Sequence, residues 1–332
     1  MTEQKKKYTG HFRIMVGLVF VGGFLTVVNQ QFQSPLQEAL FSEAADLKYT
    51  LATLITFAFF MGYPAFGTTA SRWADSVGYK GTLVRGLIVL VIGLAIEALS
   101  AYLSDLSPVQ IGNASVPGAF FIFIFGSFVL GSALAILQTV INPFLVVTEV
   151  PGTSPVTRVS IAGSLNSIGT TIAPFFVGYV VFGGSVPEVG QLLLPLSILI
   201  LIVGILAGVV RKLDLPNPNV GGGDDQQVDQ SQLKESIWSF SHLTLGVVGI
   251  FVYVGVDVAV GSNITLFAKD LGIEKELYST MTALYWGVML VGRLFGSFAA
   301  KIPAQKQLLY TAAISFALVV LSMTTENLWF LV

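Results

Sequence analysis

The chain has 332 residues, 54% of them hydrophobic and only 11% charged, with a formal net charge of −2. Soluble domains carry about 25% charged residues, so this composition excludes an ordinary water-soluble fold, and nothing in the charge balance points to nucleic acid. There is no cysteine for disulfides, thiol catalysis or thiolate metal sites, and His11 and His242, the only histidines, precede apolar runs and leave no metal-ligand set.

Lys5, Lys6 and Lys7 ahead of an apolar run from Ile14 imitate a secretory signal, but no small-residue cleavage site follows and further apolar runs do. The first segment therefore reads as an uncleaved helix. Runs of about 20 residues, long enough to cross ~30 Å of hydrocarbon as helices, recur along the chain. The predicted helices cover 13–40, 49–71, 82–103, 119–147, 159–183, 191–211, 242–266, 277–299 and 307–324, and 327–332 reads as the opening of a tenth. The fold class is all-α, a polytopic membrane protein.

Polar side chains inside these runs need partners, because an unpaired carboxamide in hydrocarbon is costly. The first helix carries Asn29, Gln30, Gln31, Gln33, Ser34 and Gln37 in its second half. Asn29 and Gln33 share one face, and Gln30, Ser34 and Gln37 an adjacent one. Pro35 should loosen the helix and free carbonyls toward a cavity. Asn29 to Gln33 read as cavity lining, while Gln37 and Glu38 read as a helix end among headgroups. The second span ends in a polar turn through Arg72, Asp75, Gly78 and Lys80, and Glu97, in the outer part of the third, reads as solvated near the interface.

In the fourth helix Gln138 and Asn142 lie four apart on one face, ahead of Pro143. Such a pair serves either as interhelical glue worth ~1 kcal/mol per bond or as lining for a substrate rich in hydroxyl groups. Asn166 sits between Gly163, Ser164, Ser167 and Gly169, a setting that fits close helix packing and a binding site equally. Asp257 lies in the middle of the seventh span, four residues after Tyr253. A carboxylate there costs roughly 2.5–3.5 kcal/mol on insertion scales, and no lysine or arginine lies at comparable depth. It is a candidate proton acceptor or hydroxyl acceptor, or else a structural hydrogen bond to a neighbouring helix. Tyr285 and Trp286, in the eighth span, offer rings that either stack on a sugar face or pack between helices.

Three domains follow from this pattern. Residues 1–211 form a six-helix bundle, the Pro/Gly-rich acidic stretch 212–241 a flexible cytoplasmic linker, and 242–332 a partial second bundle of helices 7–9 with the start of a tenth. Two six-helix halves that rock about a central site need twelve spans, so the chain reads either as a fragment, the reading favoured by its break within the apolar run Trp329–Val332, or as the product of a truncated gene. A parallel repeat supports two halves: Gly62 and Gly67 in the second span and Gly287 and Gly292, followed by Arg293, in the eighth share one offset. With odd-numbered helices starting in the cytoplasm, 14 of the 17 lysines and arginines fall inside and Lys48, Lys269 and Lys275 outside, which places the N-terminus in the cytoplasm.

The stretches QTVINPFLVV and RVSIAGSLNSIGTTIAPFFVG, the loop DSVGYK, HLTLGVVGIFVYVGVDVAVGS and YWGVMLVGRLFGS together resemble the fucose:proton symporter family of the major facilitator superfamily, whose hexose members include glucose/galactose transporters. The resemblance spans the chain. It implies the fold of two six-helix bundles and import of a hexose or deoxyhexose across the cytoplasmic (inner) membrane by alternating access, energised by protons. Asn166 matches the family's fifth-helix asparagine near the sugar. Gln138 stands where fucose symporters carry glutamate and glucose/galactose relatives glutamine, and Ser34 stands where the family has aspartate. Neither Gln138 nor Ser34 exchanges a proton near neutral pH, which leaves Asp257 as the coupling candidate, with sodium coupling, uniport or a group on further helices as alternatives.

The substrate-site residues expected are therefore Asn29, Gln30, Gln33, Gln138, Asn142, Asn166, Tyr253 and Trp286, with Asp75, Gly78, Lys80 and Arg293 at the cytoplasmic gate. The partners expected are a small sugar, a proton or sodium ion and the lipid bilayer, with no nucleic acid and no cofactor, and the protein is expected to be a monomer. Export of amphipathic drugs fits less well, since such a pocket should be apolar and aromatic. A sugar sensor that binds without transport remains an alternative, whereas an intramembrane enzyme finds no paired aspartates, Ser-His arrangement or HExxH motif.

Overall fold

A chain this apolar must satisfy its backbone N–H and C=O groups internally, and helices do so within one segment. The computed structural model describes residues 2–41, 47–112, 114–183, 187–215, 239–298, 304–325 and 327–331. Its helices are α1 (Thr2–Gln31), α2 (Gln33–Leu40), α3 (Lys48–Tyr102), α4 (Gly118–Val147), α5 (Pro155–Phe175), α6 (Leu193–Lys212), α7 (Ser241–Asp270), α8 (Lys275–Phe298) and α9 (Ala304–Thr325). Most of the expected linker, 216–238, lies outside the described residues.

Seven of the described helical stretches are long and apolar enough to cross a membrane. One of these is α3. Its 55 residues would extend about 80 Å if straight, far more than one crossing. Gly78 breaks it with φ 73° and ψ 175°, a conformation that glycine adopts without a Cβ clash, so α3 is two helices joined within DSVGYK, as the spans 49–71 and 82–103 anticipate. The eighth expected span is present as α8, and its Thr282 and Trp286 are buried by neighbouring helices.

Proline and glycine shape the rest. The helix of 13–40 divides at Phe32 into α1 and α2: Pro35 has no N–H to offer the carbonyl of Gln31. Ser154 caps α5, its Oγ accepting from the Thr157 N–H at 3.1 Å, with Pro155 in the first turn. After Pro174 the same helix relaxes into a π-helical segment, Phe176–Val181. Arg158 is buried and donates to the carbonyls of Leu145 (2.7 Å), Val146 (2.7 Å) and Thr153 (3.2 Å), so it satisfies the C-terminal end of α4.

Two short strands, β1 (Val109–Ile111) and β2 (Ala114–Val116), pair antiparallel between α3 and α4, with Val109 opposite Val116 and Gly112 at φ 59°. The helical period of the flanking runs hides this hairpin. At the other end of the chain, Leu328–Leu331 form a 3₁₀ turn.

The core lies between α3 and α4, whose backbones meet through glycines. A Cβ on Gly131 would sit 1.8 Å from the Phe59 carbonyl oxygen, one on Gly62 2.3 Å from the Ser132 nitrogen, and one on Gly93 2.8 Å from the Leu130 nitrogen. Close small-residue seams of this kind replace the hydrophobic drive that lipid removes. A second seam joins α1 to α5, where a Cβ on Gly169 would meet the Phe20 oxygen at 2.5 Å. The glycines paired by the sequence repeat differ in use: Gly62 is required by contact, while Gly287 has ordinary space beside Thr171 at 3.5 Å.

Candidate functional site

Between α1, α4, α5, α7 and α8 lies a cavity of about 550 Å³, within the usual size range of small-molecule sites. Gln138, on α4, reaches across to the first half of α3, its Nε2 donating to the Tyr63 hydroxyl at 3.0 Å. Asn166, on α5, donates from Nδ2 to the Val19 carbonyl of α1 at 3.3 Å. Gly23 permits that approach, because a Cβ there would fall 2.5 Å from Asn166 Nδ2. Asn142 lies nearer the end of α4 and is exposed.

The opposite wall is aromatic and acidic. Asp257, on α7, accepts from the Tyr285 hydroxyl, which lies 3.2 Å from Oδ1 and 2.9 Å from the Asp257 carbonyl oxygen. Trp286 packs edge-on against Tyr285, with centroids 5.2 Å apart. Gly261 makes the room, since a Cβ there would lie 2.5 Å from the indole. Trp286 is 4% exposed and its Nε1 has no hydrogen-bond partner. Tyr253 lies on the wall with most of its surface exposed.

Thus the structure brings Gln30, Gln138, Asn142, Asn166, Tyr253, Asp257 and Trp286 to one cavity. It does not bring Asn29 or Gln33 there. Gln33 donates to the Thr56 hydroxyl on α3. Asn29 Nδ2 donates to Glu97 Oε1 at 2.9 Å and lies 2.8 Å from Ser127 Oγ, and Ser127 Oγ donates to the same carboxyl oxygen at 2.9 Å. Asn29 turns away from the cavity because successive residues of α1 point about 100° apart, and Gln33 lies past the break at Phe32, in α2. The expectation that Glu97 is solvated is therefore corrected: its exposure is 0%, because Asn29 and Ser127 cover it from α1 and α4. Of the gate residues, Asp75 is exposed, Lys80 half-buried and Gly78 buried at the α3 break, while the side chain of Arg293 lies outside the described residues.

Beyond Gln30 the two groups of helices close on each other. Ser262 donates to Gln30 Oε1 (3.2 Å), Thr265 to Gln31 Oε1 (3.4 Å) and Lys269 to Glu38 (2.9 Å), while the Tyr49 hydroxyl donates to Asp270. The cavity extends the other way, to Val146 and Val159 where α4 ends and α5 begins.

Tyr63, Thr26 and Thr170 also line the cavity. Tyr63 was legible only as a hydroxyl in the apolar run before Pro64, and the threonines carry no periodic signal. Among the described residues the lining holds one carboxylate, no lysine, arginine or histidine, and no group of side chains able to hold a metal ion. Carboxamides, phenols, hydroxyls and an indole N–H present both donors and acceptors without net positive charge. That set can hydrogen-bond a neutral polyhydroxylated ligand and offers little to an anion.

The sequence profile described as Major Facilitator Superfamily matches residues 19–332. A glucose/galactose transporter of Brucella abortus biovar 1 (strain 9-941) is 29% identical over 335 residues, covering 98% of this chain and 76% of the relative. The crystal structure of the E. coli fucose:proton symporter superposes with a TM-score of 0.64 at 22% identity, covering 94% of this chain and 76% of that one. A crystal structure of a Major Facilitator Superfamily transporter in the outward conformation gives a TM-score of 0.65 at 22% identity, covering 95% and 77%.

Proposed function

We propose that this chain, which belongs to the Major Facilitator Superfamily, imports a hexose or deoxyhexose across the cytoplasmic membrane by alternating access. The observation that carries the reading is the lining of the 550 Å³ cavity: amides, hydroxyls and one carboxylate on five helices and, among the described residues, no cation. A sugar exposes several hydroxyls that both donate and accept, and each buried polar group it satisfies contributes about 1 kcal/mol net. The names of the relatives, a glucose/galactose transporter and a fucose:proton symporter, support the same substrate class.

Gln138 and Asn166 have spare donors and acceptors to read ring hydroxyls from α4 and α5. Trp286 offers its unpartnered N–H and a ring for the sugar's apolar face. Asp257 accepts a sugar hydroxyl, and the coupling ion is a proton by analogy with the symporter. With the N-terminus in the cytoplasm, the contacts of Gln30, Gln31 and Glu38 to α7 seal the outer end, and the reach toward Val146 and Val159 opens the inner one. In this reading residues 1–211 and 242–332 are the two rocking parts and 212–241 joins them.

The test is uptake of glucose, galactose, fucose and mannose by purified protein in liposomes, with and without an imposed proton gradient. Saturable uptake or counterflow of one hexose or deoxyhexose is expected. Absence of both for every sugar would sink the proposal.

A further inference from the structure

Glu97 is a titratable side chain with 0% exposure that the cavity does not use. Its surroundings are specific. Both donated hydrogen bonds reach Oε1, from Asn29 at 2.9 Å and Ser127 at 2.9 Å, while Oε2 is buried with no partner. The Oδ1 of Asn29 is likewise buried and unpartnered. Gly126 makes the pocket for this carboxyl, since a Cβ there would lie 2.7 Å from Glu97 Cγ and 2.9 Å from its backbone nitrogen.

Among the described residues no cation faces the group. From α1 it meets Asn29, and the nearest charge along that helix, Arg13, is sixteen residues or about 24 Å away. From α4 it meets Gly126 and Ser127, on a helix without a charged residue. On its own helix Ser100 Oγ donates to the Glu97 carbonyl, and Asp105 follows beyond the helix end. The α6 helix, which packs on α3, is charged only in its last turn at Arg211 and Lys212. The 3₁₀ turn that packs on α3 begins after Glu188, which is exposed, and Glu38 of α2 pairs with Lys269. An isolated ionised carboxylate in such a site is unfavourable, and a proton removes the charge.

Resting on the sugar-transport reading above, we propose that Glu97 is the proton-carrying group of this transporter, held outside the sugar cavity and linked to it through Asn29 and Gln30. The linkage is local. Asn29 holds Glu97, and its neighbour Gln30 lines the cavity and bonds Ser262 of α7. Opening the sealed end must part Gln30 from Ser262 and Gln31 from Thr265, which uncovers the turn of α1 that holds Asn29 beside Glu97. Water then reaches the carboxyl. A proton passes from water to the Glu97 carboxylate at one membrane face and returns to water at the other, and no other bond changes. Asp257 keeps the role of hydroxyl acceptor on the cavity wall.

The experiment uses the full chain in liposomes with the sugar that the unmodified protein takes up. Glu97→Gln preserves the acceptor for Asn29 and Ser127 and mimics the protonated form. Counterflow, which needs no net proton movement, should persist in E97Q. Uptake stimulated by an imposed pH gradient should fall at least about tenfold, and sugar-induced proton movement, read with a trapped pH dye, should vanish. E97D should restore part of both. D257N should weaken sugar binding in counterflow yet keep proton movement with the sugar that enters. Full pH-driven accumulation by E97Q, or coupling lost in D257N and kept in E97Q, overturns the proposal. Counterflow without proton movement in the unmodified protein also overturns it while leaving the sugar reading intact. Absence of counterflow in the unmodified protein overturns the sugar reading and this proposal together. If E97Q does not fold, Ser127→Ala and E97D supply the same comparison: coupling unchanged in both overturns the proposal.

Discussion

Asn29 and Gln30 are neighbours in α1 with the same functional group, and they end in opposite settings. Asn29 closes a dry triangle with Glu97 and Ser127, whereas Gln30 lies on the wall of a 550 Å³ cavity and bonds Ser262 across it. The rotation of about 100° between them sends one amide into the α1–α3–α4 interior and the other toward α7. The sealed cluster spends its amide on a carboxyl group, and the cavity keeps its amides free for a ligand. An amide in a membrane helix is thus assigned by the helix that faces it, and its mere presence at depth does not distinguish structure from recognition.

Four substitutions break or sharpen this contrast. The largest effect belongs to the seam that holds the sealed side. Gly131→Leu drives a side chain into the Phe59 carbonyl 1.8 Å from the Cβ position, beyond the about 1–3 kcal/mol of ordinary overpacking. The protein should fail to give a monodisperse peak in detergent chromatography, and a normal peak contradicts the packing. Next, Asn29→Leu strips a donor from buried Glu97 and should destabilise by about 1–3 kcal/mol. Thermal unfolding in detergent should show the loss, while sugar affinity among surviving molecules stays within a few-fold. A large affinity loss would place Asn29 at the ligand after all.

Gln138→Leu should do the reverse. It removes a ligand-facing amide and the bond to Tyr63, for about 1–2 kcal/mol of binding, or roughly five- to thirtyfold in affinity. Counterflow titration reads this, with the unfolding midpoint moved by only a few degrees. The smallest effect is expected for Lys269→Gln at the closed end, where the Glu38 pair is partly exposed and such pairs contribute about 0–1 kcal/mol. Stability should hold. Labelling of a cysteine introduced near Glu38 should rise as the end opens more often, and unchanged labelling would show that the pair does not hold it shut.

Much of this was legible in the sequence. Helix number and order follow from apolar run length, and the α3 break from Gly78 in a polar turn. The cavity set Gln138, Asn142, Asn166 and Asp257 follows from polar groups at depth, since each needs a partner. Less legible was the fate of Glu97, read as solvated from its place near a helix end and found at 0% exposure. Depth along one helix says nothing about the helices that cover it. Tyr63 was missed because tyrosine is unremarkable in a membrane helix until Gln138 lies 3.0 Å from its hydroxyl. The hairpin at 109–116 was missed because strands of three residues give too little alternation.

The sequence by itself determined that the chain lives in lipid, which segments are apolar enough to cross it, and that its polar side chains at depth demand partners. These are properties of single segments, set by transfer free energy along one helix. Only the tertiary structure decided which partners they have. Sealing Asn29 with Glu97 and leaving Gln30 at the cavity depends on how α3, α4 and α7 pack around α1, through contacts between residues that lie far apart in the chain.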